Sequence, residues 1–270
     1  MTNNDRVFVG SIPEFYDTYL VPLIFAGYAK DLAERTAALM PKALLETAAG
    51  TGAVTRELAA RLDPDAHLAV TDLNQPMLDR AASMQSPDSR IEWRQADALN
   101  LPFADNSFDA VVCQFGVMFF PDKVAGYAEA RRTLRPGGKF LFNVWDRIEA
   151  NEIAYTVTEA AAAVFPADPP RFLARTPHGY HDIELISHEM KKAGFSAVSI
   201  STVEKVSTAP SPRHAAIAFC QGSPLRNEIE ARDAKLLSAV IDRATLAISA
   251  RYGTGAVSGK IRAHIVTGSR

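Results

Sequence analysis

The sequence predicts a doubly wound α/β fold: a mostly parallel, seven-stranded sheet carrying helical insertions. Three observations lead there. Short β-rich runs alternate with amphipathic stretches from residue 42 to about 146, the first run passes through small residues straight into a helical pattern, and an aspartate stands at the end of the second run and just past the third. Strands alternating with helices mean βαβ units, whose right-handed crossovers cover a parallel sheet with helices on both faces.

The first five strands are read at Ala43–Glu46, His67–Thr71, Ile91–Arg94, Phe108–Cys113 and Lys139–Val144. Between the first two, Val54, Leu58, Ala59 and Leu62 recur at helical spacing and make one apolar face. Val124, Tyr127, Ala128 and Leu134 indicate another helix, and Pro136-Gly137-Gly138 then reads as a turn. After Asp146 an Ala-rich helix runs from Glu152 to Phe165 and stops at Pro166-Ala167-Asp168-Pro169-Pro170. A loop through His178-Gly179-Tyr180-His181 leads to a helix at about Asp182 to Lys192, closed by Gly194. Val198 to Val206 alternates as a strand, helical material fills Pro212 to about Arg251, and Ile261 to Thr267 is the last strand. The expected organisation is an N-terminal helical lid over residues 1–40 and a main domain over 41–270. Helical insertions at about 150–193 and 210–252 would overhang the ligand crevice of the sheet.

With 270 residues, 47% hydrophobic and 22% charged, the chain is long enough for one large domain with a sizeable core. A net charge of −2 argues against nucleic acid, which requires a concentrated excess of Lys and Arg. The pair Lys191-Lys192 reads as a solvated helix face. The N-terminus is polar, and the apolar stretch Leu20 to Ala29 is too short to span a bilayer and contains Pro22. Cys113 and Cys220 suggest no disulfide framework and read as small buried hydrophobes in a reducing cytoplasm. The expected protein is therefore cytoplasmic, with a small-molecule partner, no nucleic acid and no membrane; a homodimer is compatible with this.

The most informative segment is Leu44-Leu45-Glu46-Thr47-Ala48-Ala49-Gly50-Thr51-Gly52-Ala53-Val54-Thr55. Small residues between a strand and a helix let a ligand approach the backbone where a Cβ would block it, although such a loop also serves simple turn chemistry. Asp72 lies 20 residues after Gly52, where an open α/β sheet places an acid to accept both ribose hydroxyls. Its plainer role would be to cap the helix starting near Gln75-Pro76. Asp97-Ala98, past the third strand, falls where an adenine would lie.

In order and spacing, these segments resemble the class I S-adenosylmethionine-dependent methyltransferases, and especially the small-molecule branch that includes ubiquinone and menaquinone biosynthesis enzymes. The resemblance covers about residues 40–146. It rests on Leu45 to Gly52, Asp72 to Leu78, Asp97 to Phe103, Asp105 to Asp109 and Leu134 to Gly138. It implies a Rossmann-like methyltransferase fold and S-adenosyl-L-methionine as cofactor, with S-adenosyl-L-homocysteine as product. Ala48, Gly50 and Gly52 would form the loop against the methionine moiety, supported by Glu46. Asp72 would hold the ribose, Leu73 would flank the adenine, Asp97 would accept from its amino group, and Ala98 would donate a backbone N–H. Gln114 would line the methyl side, Met77 belongs to the same motif as Asp72, and Tyr19 would seal the methionine end. The family's first glycine is Ala48 here.

Two rivals stand beside this reading. A dinucleotide-dependent oxidoreductase needs a third glycine where this chain has Thr55. A non-catalytic S-adenosylmethionine-binding protein would carry the same cofactor residues. Asp168-Pro169-Pro170 lacks the following aromatic and the position of a nucleic-acid amino-methyltransferase motif, and reads as a helix-terminating loop. His178, His181 and His188 lack regular ligand spacing, so no metal site is expected. Acceptor contacts are expected from Tyr16, Phe172, His178, Tyr180 and His181, and no residue is assigned as a catalytic base. The aromatics Tyr16, Tyr19, Phe25 and Tyr28 suit core packing as well as a pocket.

Overall fold

A computed structural model describes residue 8 and residues 10–270. The chain divides into two compact units. One comprises Ala26–Val144, His181–Val203 and Ala263–Arg270; the other comprises the chain up to Phe25, Trp145–Tyr180 and Glu204–Arg262.

The first of these is the sheet unit. Its strands are β1 (Ala43–Glu46), β2 (His67–Asp72), β3 (Ile91–Gln95), β4 (Phe108–Gln114), β5 (Leu134–Trp145), β6 (Ala197–Ala209) and β7 (Val257–Ser269), the last two extending into the other unit. They form one seven-stranded sheet in the order β3-β2-β1-β4-β5-β7-β6, and the pairs β3–β2, β2–β1, β1–β4 and β4–β5 are parallel. The order reverses between β1 and β4, so the carboxyl ends of those strands flank a topological switch point, the usual ligand crevice of an open α/β sheet.

The central strands are apolar on both faces, as burial from two sides requires. Leu44 and Leu45 of β1, and Ala110, Val111, Val112 and Cys113 of β4, are fully buried. On one face, Leu44, Leu68, Val70 and Val112 pack with Ala29, Leu32 and Ala33 of α2 (Ala26–Ala37) and with Val54 and Leu58 of α3 (Ala53–Ala59). Elsewhere in the unit, Phe140 and Phe142 meet Tyr127, with ring centroids 6.0 and 5.3 Å away, and Phe195 lies 6.0 Å from Phe140. Tyr127 belongs to α5 (Lys123–Thr133), while α4 (Gln75–Met84) buries Met77, Leu78 and Ala81.

The other unit is mainly helical. A short α1 (Ile12–Phe15) runs into a wide, π-type helix at Tyr16–Phe25, which carries Pro22. The helices α6 (Glu152–Val164), α9 (Pro212–Gln221) and α11 (Leu237–Tyr252) pack together through Val157, Ala160, Ala161, Ala215, Ala216, Ala244 and Ile248. Small residues at these positions let the helix axes approach. Smaller helices α7 (Phe172–Arg175) and α10 (Leu225–Asp233) complete the unit. In the sheet unit, α8 (Ile183–Lys192) begins as expected, Asp182 accepting the N–H groups of Glu184 and Leu185, and Gly194 follows its end at φ +94°.

One local reading is corrected. Pro136-Gly137-Gly138 is not a turn between elements: it lies inside β5, where the register jumps from Phe108 opposite Leu134 to Ala110 opposite Lys139. Gly137, at φ +81°, lets the extra residues bulge, and its N–H donates to the carbonyl of Arg270. The expected helical stretch after Pro212 is present and comprises three helices, because Gly222 and Pro224 break the first, and Asp233 caps a 3-10 turn at Ala234–Leu236 before α11.

Candidate active site

The loop after β1 owes its shape to backbone conformation. Ala48, Gly50 and Gly52 all take left-handed φ, at +51°, +59° and +79°. Left-handed residues alternating with others curl the backbone into a concavity lined by N–H groups. Gly52 must be glycine on two counts: its φ, and the 3.0 Å that would separate an added Cβ from Ala81 Cβ. Ala48 adopts a conformation that costs an L residue about 1–2 kcal/mol. The loop is tied down by hydrogen bonds from Thr47 N–H to the Val112 carbonyl (2.9 Å) and from Ala49 N–H to the Thr71 carbonyl (3.0 Å).

Asp72 closes this cradle. Its Oδ2 accepts the Gly50 N–H at 2.8 Å and its Oδ1 accepts the Asn74 N–H at 2.8 Å. Burial raises its pKa, and the hydrogen bonds from Asn74 and Gly50 oppose the rise. Asp72 does not cap α4; Asn74 stands at that N-cap, its side chain making no capping bond. Oδ1 also accepts a longer bond from Asn74 Nδ2 at 3.4 Å, so the open acceptor capacity lies chiefly on Oδ2. Beneath the loop, Glu46 is buried and accepts the Thr55 hydroxyl at 2.7 Å, and desolvation pushes its carboxyl up to about 8. It braces the start of α3 from below.

The neighbouring strand ends bring the other expected residues into the same unit. Leu73 is exposed, and its carbonyl accepts from Gln95 Nε2 at 2.9 Å. Met77 is buried on the inner side of α4. Asp97 is exposed, with Oδ1 accepting the Leu99 N–H at 2.9 Å, and Ala98 beside it is half-buried. Gln114 ends β4, paired in register with Asn143 of β5. Three features here carry no sequence signal. Phe115 takes φ +49°, and its N–H is shared between the Asn143 carbonyl (3.2 Å) and Asn143 Oδ1 (2.9 Å). Gly116 packs directly on Ala48. Among the described residues, Thr51 Oγ1 and Asn143 Nδ2 are buried without hydrogen-bond partners.

Tyr19 and four of the five expected acceptor residues belong to the helical unit. Tyr19 stacks on Phe15 (5.6 Å) and lies 4.7 Å from the His214 ring. Tyr16 is half-buried and stacked on Phe25 at 5.1 Å. Phe172 is a core side chain, 1% exposed, and its N–H donates to Glu228 Oε2. His178 is buried beside Trp145, with Nδ1 2.8 Å from the Asp146 carbonyl, which places the proton on Nδ1. Asp146 also pairs with Arg262 Nε at 2.5 Å. Tyr180 is buried as well, whereas His181 opens the next segment of the sheet unit and is half-buried. Cys113 and Cys220 are free and buried, and burial pushes both thiols up to about 12, so neither is a nucleophile.

Residues 45–142 match the family model for a methyltransferase domain. A ubiquinone/menaquinone biosynthesis C-methyltransferase of Dinoroseobacter shibae is 30% identical over 59% of this chain and 70% of its own length. A demethylmenaquinone methyltransferase of Clavibacter sepedonicus is 29% identical over 57% of this chain and 66% of its own length. The alignments thus span about two thirds of these relatives. The solved structure of the YcgJ protein of Bacillus subtilis superposes with a TM-score of 0.58 at 15% identity, covering 90% of this chain and 98% of that one, which is a likeness of fold.

The chain belongs to the class I S-adenosylmethionine-dependent methyltransferases, and within them it resembles the ubiquinone/menaquinone biosynthesis enzymes. It is an enzyme that moves a methyl group from S-adenosylmethionine to a small-molecule acceptor. The residues suit that cofactor: a concave, N–H-lined loop without bulky side chains stands beside a carboxylate whose Oδ2 keeps acceptor capacity.

Proposed function

We propose that the cofactor is seated mainly by residues of the sheet unit: Glu46, Ala48, Gly50, Gly52, Asp72, Leu73, Met77, Asp97, Ala98 and Gln114. The observation that carries this is Asp72, whose two oxygens bridge the loop after β1 and the turn after β2 while Oδ2 keeps acceptor capacity for a ribose hydroxyl. Asp97 would accept the adenine amino group, Ala98 would donate its N–H to the ring, and exposed Leu73 would cover one ring face. Tyr19 is proposed at the methionine end.

Bound S-adenosylmethionine supplies an activated methyl on a sulfonium, ready for in-line displacement. The work of the protein is to hold a nucleophile near the methyl group, align it and exclude water. We assign acceptor recognition to Tyr16, Phe172, His178 and Tyr180 of the helical unit and to His181. The acceptor is a small molecule with an oxygen, nitrogen or carbon nucleophile, not nucleic acid; the net charge of −2 supports that exclusion. Among the described residues no helix is long and apolar enough to cross a membrane.

The test is calorimetry with S-adenosylmethionine and S-adenosylhomocysteine, followed by a mass-spectrometric screen of phenols, hydroquinones, amines and carboxylic acids. Hydroquinones are included because the relatives act in quinone biosynthesis by name. Saturable binding and a product 14 mass units heavier (about one CH₂) are expected. Absence of binding for both ligands at millimolar concentration would overturn the reading.

A further inference from the structure

Phe115 is a bulky residue held in a conformation that favours glycine, at φ +49°. Its N–H lies 2.9 Å from Asn143 Oδ1, and because the donor is an N–H, the near atom of that amide must be the oxygen. Asn143 is fully buried, and its Nδ2 has no hydrogen-bond partner. A side chain that only filled space between β4 and β5 would be apolar here, so leaving a donor unmatched makes sense when the oxygen has a task. The consequence of the Phe115 conformation is visible in the next residue. Gly116 is turned so tightly against the cofactor loop that an added Cβ would stand 2.5 Å from Ala48 Cβ. The Phe115 ring is buried edge-on to Tyr28, at a centroid distance of 5.5 Å, which anchors the other side of the turn.

We infer that Asn143 is a positioning residue for methyl transfer: it holds Phe115 in the left-handed conformation, and through Phe115 and Gly116 it fixes the loop at Ala48. This rests on the cofactor seat proposed above. Asn143 is not placed in contact with the cofactor.

The test is a double-mutant cycle read by calorimetry with S-adenosylhomocysteine, with thermal melting to confirm folding. Asn143→Leu keeps the branched shape and removes the oxygen; it should weaken affinity by about ten-fold, because the Phe115 N–H then keeps the 3.2 Å bond to the residue-143 carbonyl but loses the shorter one that holds its strained conformation. Phe115→Gly makes that conformation intrinsic, so the Asn143→Leu/Phe115→Gly double variant should bind within about three-fold of Phe115→Gly alone. A role limited to stability would not show this rescue, since Phe115→Gly also removes a buried ring. Wild-type affinity in folded Asn143→Leu would overturn the inference. So would a double variant that loses the full ten-fold on top of Phe115→Gly. Should Asn143→Leu fail to fold, Asn143→Ser in the same cycle yields the same two outcomes. Failure of the cofactor seat itself looks different: the wild-type protein would not bind S-adenosylhomocysteine.

Discussion

Ala48 and Gly116 depend on each other: a Cβ on Gly116 would stand 2.5 Å from Ala48 Cβ and 2.6 Å from Cys113 Sγ. Gly116→Ala should therefore destabilise the protein by about 1–3 kcal/mol through overpacking. Adding Ala48→Gly removes one of the two clashes and should recover part of the loss. Ala48→Gly alone should be close to neutral, because relief of a left-handed alanine, about 1–2 kcal/mol, offsets the extra chain entropy of glycine, about 0.5–1 kcal/mol. Thermal melts of the three variants check this, and a Gly116→Ala protein as stable as wild type would contradict it.

Asp72→Ala should weaken S-adenosylhomocysteine binding by roughly ten-fold to a hundred-fold, since charge-assisted hydrogen bonds contribute about 1.5–3 kcal/mol. The fold should survive, because Asp72 stands at the end of β2 and the core beneath it is apolar. Calorimetry on the folded variant decides; unchanged affinity would remove Asp72 from the ribose site.

Glu46 makes stability depend on pH. Its carboxyl is raised from 4.5 to about 8 by burial, so the folded protein holds a proton that the unfolded chain has released above about pH 4.5. The favourable contribution is complete below that pH and is lost progressively as pH rises through about 8. Glu46→Gln mimics the protonated form and can still accept from Thr55. In the ligand-free protein, the gap in melting temperature between Glu46→Gln and wild type should widen in favour of the variant from pH 5 to 9, by the equivalent of about 1–3 kcal/mol. Parallel curves would show that Glu46 is ionised in the fold.

On the acceptor side, His181→Ala and Tyr180→Phe should lower turnover more than cofactor affinity, once an acceptor is identified. Loss of a positioning contact costs up to ~10²-fold in rate. The phenylalanine keeps the packing of buried Tyr180 while removing its hydroxyl. Matched turnover and calorimetry on the same proteins separate the two effects, and intact turnover in both would move acceptor recognition elsewhere, first to α9 around Phe219.

The sheet unit was legible in the sequence because its logic is local. Strand, small-residue loop and helix follow one another between Leu44 and Leu58, and Asp72 falls at a strand end that periodicity alone locates. Pro136-Gly137-Gly138 misled because a bulge and a turn use the same residues, and only the partner strand decides between them. Phe115 and Asn143 were out of reach for a different reason. A phenylalanine predicts no left-handed backbone, and an asparagine inside an apolar strand does not announce which N–H it will meet across the sheet. The bond that orients His178 was also out of reach, because it goes to the Asp146 carbonyl, 32 residues away.

The division of the chain bears on how it is made. Each unit is assembled from three separate stretches, and the sheet unit closes only with Ala263–Arg270. Its first stretch, ending at Val144, carries five strands but not the residues of β6 and β7. Neither unit can therefore be finished on the ribosome while the other waits its turn. The nascent chain must keep the edge of β5 unsatisfied until β7 emerges, which makes folding of the sheet late and non-local.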